Sequence, residues 1–186
     1  MNAQLVQGLD ELRIALYALP AKLRNQVLRN ALAAGARVVR DEAKRLVPVL
    51  RSPVVQRSTG KTIRMPGTVR DAIRVRTSKA SRRAGHVGVF VNVKPAGKGH
   101  RGAASASDPY YWRWLEFGRK SRAAVSAGWR RKAVRWRRGR ALRAVGAMKG
   151  YRFLRGAVDK SDMALNKIIK TLGPAIARMN RKRGTL

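Results

Sequence analysis

DPYYWRWLEFG, residues 108–118, holds five of the chain's eleven aromatic residues and two of its nine acids. Asp108 followed by Pro109 is a helix-start pair: a carboxylate that can accept from exposed amides, then a proline already held at a helical φ. Gly118 suits a helix stop. Between them Tyr111, Trp114 and Leu115 fall on one face of a short helix over 109–117, and with Phe117 they read as core. A strand would instead put Tyr110, Trp112 and Trp114 on one side; the caps favour the helix. A stretch this apolar pins other elements onto itself, so the flanks decide what it pins.

Upstream, Leu5, Leu9, Leu12 and Leu16 step by four, three and four, one stripe of an amphipathic helix that Pro20 stops. A longer helix is expected from about Ala21 to Leu46, its inner face approximated by Leu23, Val27, Ala31, Ala34, Val38 and Leu46. Pro48 and Pro53 end it. Residues 48–67, rich in Pro, Gly, Ser and Thr, read as a loop. In 67–78 Ile73, Val75 and Thr77 alternate with arginines as on a half-buried strand. After a basic turn over 79–85, Val87, Val89, Val91 and Val93 repeat the alternation. The pair makes a β-hairpin over about 69–93, and 94–107 reads as a mobile loop with almost nothing to bury.

Downstream, 119–155 carries fourteen Lys and Arg and no acid. Val125, Trp129, Ala133 and Trp136 keep helical spacing, and Leu142 and Val145 resume it after Gly139, so 119–150 reads as a basic helical insertion. A last helix is expected over 157–180, with acids in its first turn as the helix dipole prefers and a kink at Gly173-Pro174. The sum is a single α+β domain over 1–186: a small antiparallel sheet packed by long N-terminal and C-terminal helices, with the insertion added.

The apolar share of 45% is ordinary for a folded chain, but the net charge of +34 is not. Such a chain repels itself unless an anion lies near, and nucleic acid is the first candidate, ahead of acidic proteins and anionic lipid. There is no cysteine, so disulfides and thiolate metal sites are excluded. His86 and His100 sit apart in Gly- and Lys-rich surroundings, and no metal or cofactor site is expected. No apolar run is long enough to span a membrane, and the N-terminus lacks a signal-peptide pattern, so a soluble protein is expected.

The acids form no pair, no HExxH and no catalytic triad order, so no catalytic residue is assigned and an enzyme is not expected. Glu116, the only acid between Asp108 and Asp159, lies among arginines that favour its ionised form, which suits a salt bridge rather than a general base. GKGHRG lacks the strand-to-helix frame of a phosphate cradle. An exposed aromatic cluster beside basic residues could stack single-stranded bases; helical phase assigns these rings to the core instead. Arg130, Arg131, Lys132, Arg135, Arg137, Arg138 and Arg140 are the candidate contacts to DNA or to an acidic partner. Phosphate contact needs only positive charge and carries no sequence information.

Three motifs in order resemble the neck or tail-completion (tail-component, head–tail joining) proteins of long-tailed bacteriophages and prophages. They are Gly67-Thr68-Val69-Arg70-Asp71-Ala72-Ile73, then Tyr111-Trp112-Arg113-Trp114-Leu115-Glu116-Phe117-Gly118, then Arg152-Phe153-Leu154-Arg155-Gly156-Ala157. The resemblance runs from about Leu5 to Met179. Departures are Trp112 for a small residue, Arg119 for threonine, Arg152 and Gly156 for two prolines, and the insertion between the second and third motifs.

The resemblance implies a structural virion protein of the neck, made in the bacterial host cytoplasm, that joins the tail to the capsid connector. It implies an oligomeric ring, six-fold in preference to twelve-fold, around a channel for double-stranded DNA, against connector, tail-terminator or tail-tube proteins. Tyr111, Trp114, Leu115, Glu116, Phe117, Gly118, Phe153 and Leu154 are then the fold and assembly motif. The alternative function is a free, non-specific nucleic-acid-binding protein of nucleoid or RNA-chaperone type. With about one phosphate charge per 1.7 Å, a ring about 40 Å deep encloses some 24 phosphates. Six chains at +34 carry several times that, so much of the basic surface would face protein, counterions or packed DNA.

Overall fold

The computed structural model describes residues 9–56, 59–97, 101, 105–121, 123, 128–132, 135–139 and 144–184. The element order is α1 (Leu9–Tyr17), α2 (Ala21–Leu46), β1 (Val54–Val55), β2 (Thr62–Arg64), α3 (Thr68–Ala72), β3 (Ile73–Thr77), α4 (Lys79–Arg83), β4 (Val89–Val93), α5 (Trp112–Phe117), β5 (Gly128–Lys132), β6 (Arg135–Gly139), α6 (Phe153–Gly156), a 3₁₀ turn (Ala157–Lys160) and α7 (Ser161–Gly184). The class is α+β, as the pattern of periods implies. The strands form three separate antiparallel pairs, β1–β2, β3–β4 and β5–β6, rather than one sheet.

Helix α2 is the axle. It ends at Val47, whose backbone is extended (φ −69°, ψ 130°), the conformation a residue before proline is pushed into. Its N-terminal half packs with α1 and α7 through Leu19, Val27, Ala31, Leu172 and Ile176. Gly35 marks the tightest approach to α7: a Cβ there would lie 2.5 Å from Ile168 Cγ1 and 2.8 Å from the Ala164 carbonyl. Helix α7 runs through Pro174. The C-terminal half of α2 carries Ala43, and Val47 follows it, into a second core with Val69, Ile73, Val93, Phe153 and Ala157.

The β3–β4 register pairs Ile73 with Val93, Val75 with Val91 and Thr77 with Val89, so the alternation seen in sequence aims one row inward. Residues 69–72, expected at the start of the hairpin, belong to the helical turn α3, entered from Gly67 at φ 75°. The expected basic turn is helix α4, with the Ser78 hydroxyl accepting from the Ser81 amide at 3.1 Å. The loop expected over 48–67 contains β1 and β2, strands of two and three residues that carry no readable period.

The described part of the insertion is a β-hairpin, not a helix. Trp129 pairs with Arg138, Arg130 with Arg137 and Arg131 with Trp136. In a helix Arg131, Lys132, Arg135 and Arg138 would stack at spacings of three and four, with no acid to offset like-charge repulsion. The glycines that open and close the hairpin, Gly128 and Gly139, pair with each other.

Candidate functional site

Helix α5 is short because its caps act differently from the sequence pattern. Asp108 is buried, and its carboxylate accepts from the Ala96 amide at 3.1 Å. The Trp112 amide donates to the Pro109 carbonyl at 2.9 Å, and the helix proper begins at Trp112. Asp108 thus ties down Ala96, within a segment that composition alone presents as mobile. The segment's residues 98–100 and 102–104 lie outside the described residues.

Glu116 is the centre of the site. It is only 3% exposed, and its partners are two backbone amides rather than the guanidinium expected from its arginine-rich setting. Leu154 N–H donates to Oε2 at 2.8 Å and Arg155 N–H to Oε1 at 3.1 Å. These are first-turn amides of α6, groups that have no partner within their own helix. A carboxylate there acts as a remote N-cap, strengthened by charge. The Glu116 main chain joins in, its carbonyl accepting from the Arg152 amide at 3.1 Å, while Leu115 O accepts from Tyr151 N at 2.6 Å. Phe153, fully buried, then drops into the core beside Ile73.

The chain can make this closure only with glycines. Gly118 has φ 81° and ψ −176°, a region essentially closed to other residues. A Cβ on it would lie 2.6 Å from the Met148 carbonyl, and one on Gly150 would lie 2.5 Å from the Glu116 carbonyl. Arg119 and Met148 then exchange two backbone hydrogen bonds of 2.8 Å, closing the base of the insertion. Arg152 takes φ 52°, a value proline cannot adopt, so the departure from proline noted in the sequence goes with a different local backbone. Gly150 is the site residue that sequence reasoning missed; a glycine just ahead of the third motif was the available signal.

Of the motif residues, Tyr111, Trp114, Leu115 and Leu154 are half-buried and pack toward the site. Phe117 is the correction: it is 76% exposed, not core, because it is the last residue of α5 and Gly118 turns the chain immediately after it. The other rings are overlaid by guanidinium groups. Arg64 lies 5.1 Å from the Tyr111 centroid, Arg119 5.1 Å from that of Trp114, and Arg113 5.7 Å from that of Trp112. A stacking platform for bases needs open faces, and these arginines cover one face of each ring. Burial pushes the Tyr111 phenol above its ordinary pKa, while Thr68 and Arg64 pull it the other way.

The candidate DNA contacts Arg130, Arg131, Lys132, Arg135, Arg137 and Arg138 all fall in β5 and β6, whereas Arg140 lies outside the described residues. Among the described residues no group of His, Asp and Glu could hold a metal ion, and no helix is long and apolar enough to cross a membrane.

No curated protein and no solved structure matches the chain. One family model does, described as "Bacteriophage HK97-gp10, putative tail-component", over residues 10–118. The match ends at Gly118, where the chain leaves α5 for the basic insertion, and it takes in all but the first residue of α1, then α2, the β3–β4 hairpin and the whole of α5. With more than half its length matched, and Glu116 serving as a structural link, the chain belongs to the HK97-gp10-like family of bacteriophage tail components.

Proposed function

We propose that this tail component is a subunit of the phage neck, joining the tail to the capsid connector as a ring through which DNA passes. The observation that carries the reading is a division of labour around Gly118. On one side both carboxylate oxygens of Glu116, the acid expected to make a salt bridge, are taken up by backbone amides, which makes it a strut. On the other side, the Arg119–Met148 bridge releases a basic hairpin whose two strands pair with each other. Phe117 and Tyr151, both exposed, flank the same closure and offer apolar surface to a neighbouring subunit.

Positive charge without base-reading geometry supports loose, sequence-blind contact with a threaded duplex. A lumen that gripped every phosphate would hinder ejection. The reading also calls for acidic faces on neighbouring rings, since the charge exceeds what the duplex in the channel can neutralise.

A density map of purified particles tests it. The expected result is this chain as a closed ring between connector and tail, and filled heads without tails when its gene is deleted. Normal tailed particles from the deletion, or the protein recovered only free and bound to nucleic acid, would discard the reading.

A further inference from the structure

A cavity of about 340 Å³ opens between α5, α3 and the chain that follows α2, lined among others by Val49, Leu50, Trp114, Tyr151, Arg64 and Arg119. Both arginines are pinned. Arg64 lies against the Tyr111 ring and donates through Nη2 to the Tyr110 hydroxyl at 3.3 Å. Arg119 lies against Trp114 and donates through Nη2 to the Gly146 carbonyl at 3.3 Å. In each the Nε–H is buried and has no hydrogen-bond acceptor among the described residues. A guanidinium cannot shed its proton and can only donate. Two fixed guanidinium groups lining one recess therefore favour an anionic guest, which meets the partly exposed side chains rather than the buried Nε–H groups.

The walls narrow the class. Val49, Leu50 and Tyr151 are apolar surface with substantial exposure, so the guest carries an apolar stem or apolar neighbours beside its anion. A volume of about 340 Å³ sits at the lower end of ligand pockets, which run from about 300 Å³ upward, and suits one or two side chains rather than a nucleotide. A duplex phosphate is presented on a rigid rod and meets side chains that reach outward, whereas these guanidinium groups lie back against aromatic rings. The pocket is also strongly cationic in a chain of net charge +34, which disfavours a second copy as the occupant and favours an acidic one.

We infer that this cavity is a docking pocket for an acidic side chain of a partner protein, an Asp or Glu carboxylate flanked by apolar residues. The carboxylate pairs with the guanidinium groups of Arg64 and Arg119 while its neighbours cover Leu50 and Tyr151. The inference concerns the pocket alone and stands apart from the chain's position in the virion.

The test follows the arginine Nε–H resonances of the ¹⁵N-labelled full chain, assigned through R64K and R119K. The probes are the capped peptide Leu-Glu-Leu, its Leu-Gln-Leu counterpart, inorganic phosphate and a short DNA duplex. The expected result is saturable movement of the Arg64 and Arg119 signals by the glutamate peptide at about 1 mM or below, with the glutamine peptide at least about ten-fold weaker. R64K and R119K keep the formal charge but remove the planar guanidinium, and each should weaken the peptide about ten-fold or more. Because either lysine could loosen the aromatic stack, L50S serves as a second variant: it touches only the apolar wall and should weaken the peptide several-fold with an unchanged melt. Equal binding of the two peptides overturns the pocket, as does no saturable shift. So does movement of the same two signals by phosphate, duplex or rising protein concentration at least as strongly as by the glutamate peptide.

Discussion

Replacing Glu116 by glutamine changes one atom and tests the strut directly. In the native chain each carboxylate oxygen takes one amide, at 2.8 and 3.1 Å, and charge-assisted bonds of this kind are worth about 1.5–3 kcal/mol each. Glutamine keeps one carbonyl oxygen, which can hold one of the two amides as a neutral bond of about 1 kcal/mol. Its NH₂ group then faces the other amide, donor against donor. Relief from burying a charge offsets part of the loss, leaving about 2–4 kcal/mol of destabilisation. For a chain of this size that lowers the melting temperature by about 5–15 °C.

Urea and thermal melts followed by far-UV circular dichroism read the effect. Removing an acid also adds to the net charge of +34, so D71N is the control. Asp71 meets Arg70 only at an exposed 3.4 Å contact, a class worth about 0–1 kcal/mol. If E116Q lies within about 0.5 kcal/mol of D71N, the carboxylate is not capping α6 and the account of the joint is wrong.

Gly118→Ala forces a side chain into a glycine-only region with its Cβ 2.6 Å from the Met148 carbonyl, so a loss of about 3 kcal/mol or more is expected in a urea titration; a loss under about 1 kcal/mol would mean the two backbones do not touch. Gly35→Ala should cost about 1–2 kcal/mol, because overpacking against Ile168 outweighs the helix-propensity gain of about 0.5–1 kcal/mol. Adding I168A should recover part of that loss, and a purely additive double mutant would show no α2–α7 clash. For Tyr111 the folded pKa is raised, chiefly by burial, so its contribution is complete below the ordinary phenol pKa of about 10 and fades as pH rises through the higher folded value. Wild type should therefore lose stability above about pH 10 more steeply than Y111F, and parallel pH profiles would contradict the burial.

Periodicity read in sequence succeeded where chemistry set hard limits. Pro20 and Pro48 bracket α2, and the alternation at Ile73, Val75, Val91 and Val93 recurs as the β3–β4 register. It failed where a short element obeys distant partners. Asp108 has the look of a cap, yet Ala96 claims its carboxylate, and Phe117 has the right phase for the core but stands at a helix end that Gly118 turns outward. Trp129 and Trp136 are seven apart, a spacing that a helix face can use, and their backbones pair with those of arginines across a hairpin. The site was legible in part. Glu116-Phe117-Gly118 stood out as a unit, but that Glu116 would hold amides thirty-eight and thirty-nine residues on depends on a closure no local pattern announces.

That closure also explains how a long, acid-free run is tolerated inside the fold. Arg119 and Met148 are joined by two backbone bonds, so everything from 120 to 147 leaves and returns at nearly one point. The closing cost of such a loop grows only slowly with its length, while the core residues on either side, Leu115 and Phe153, stay in register. Charge can then accumulate in the hairpin without entering the core, where each unpaired arginine would cost several kcal/mol. The consequence is separability. Neutralising Arg130, Arg131, Arg137 and Arg138 together should weaken duplex binding and flatten its salt dependence by roughly one slope unit for each phosphate no longer neutralised, with no fall in melting temperature. A large fall in stability would show that the hairpin is braced against the body of the protein, and that the joint and the basic arm are not independent parts.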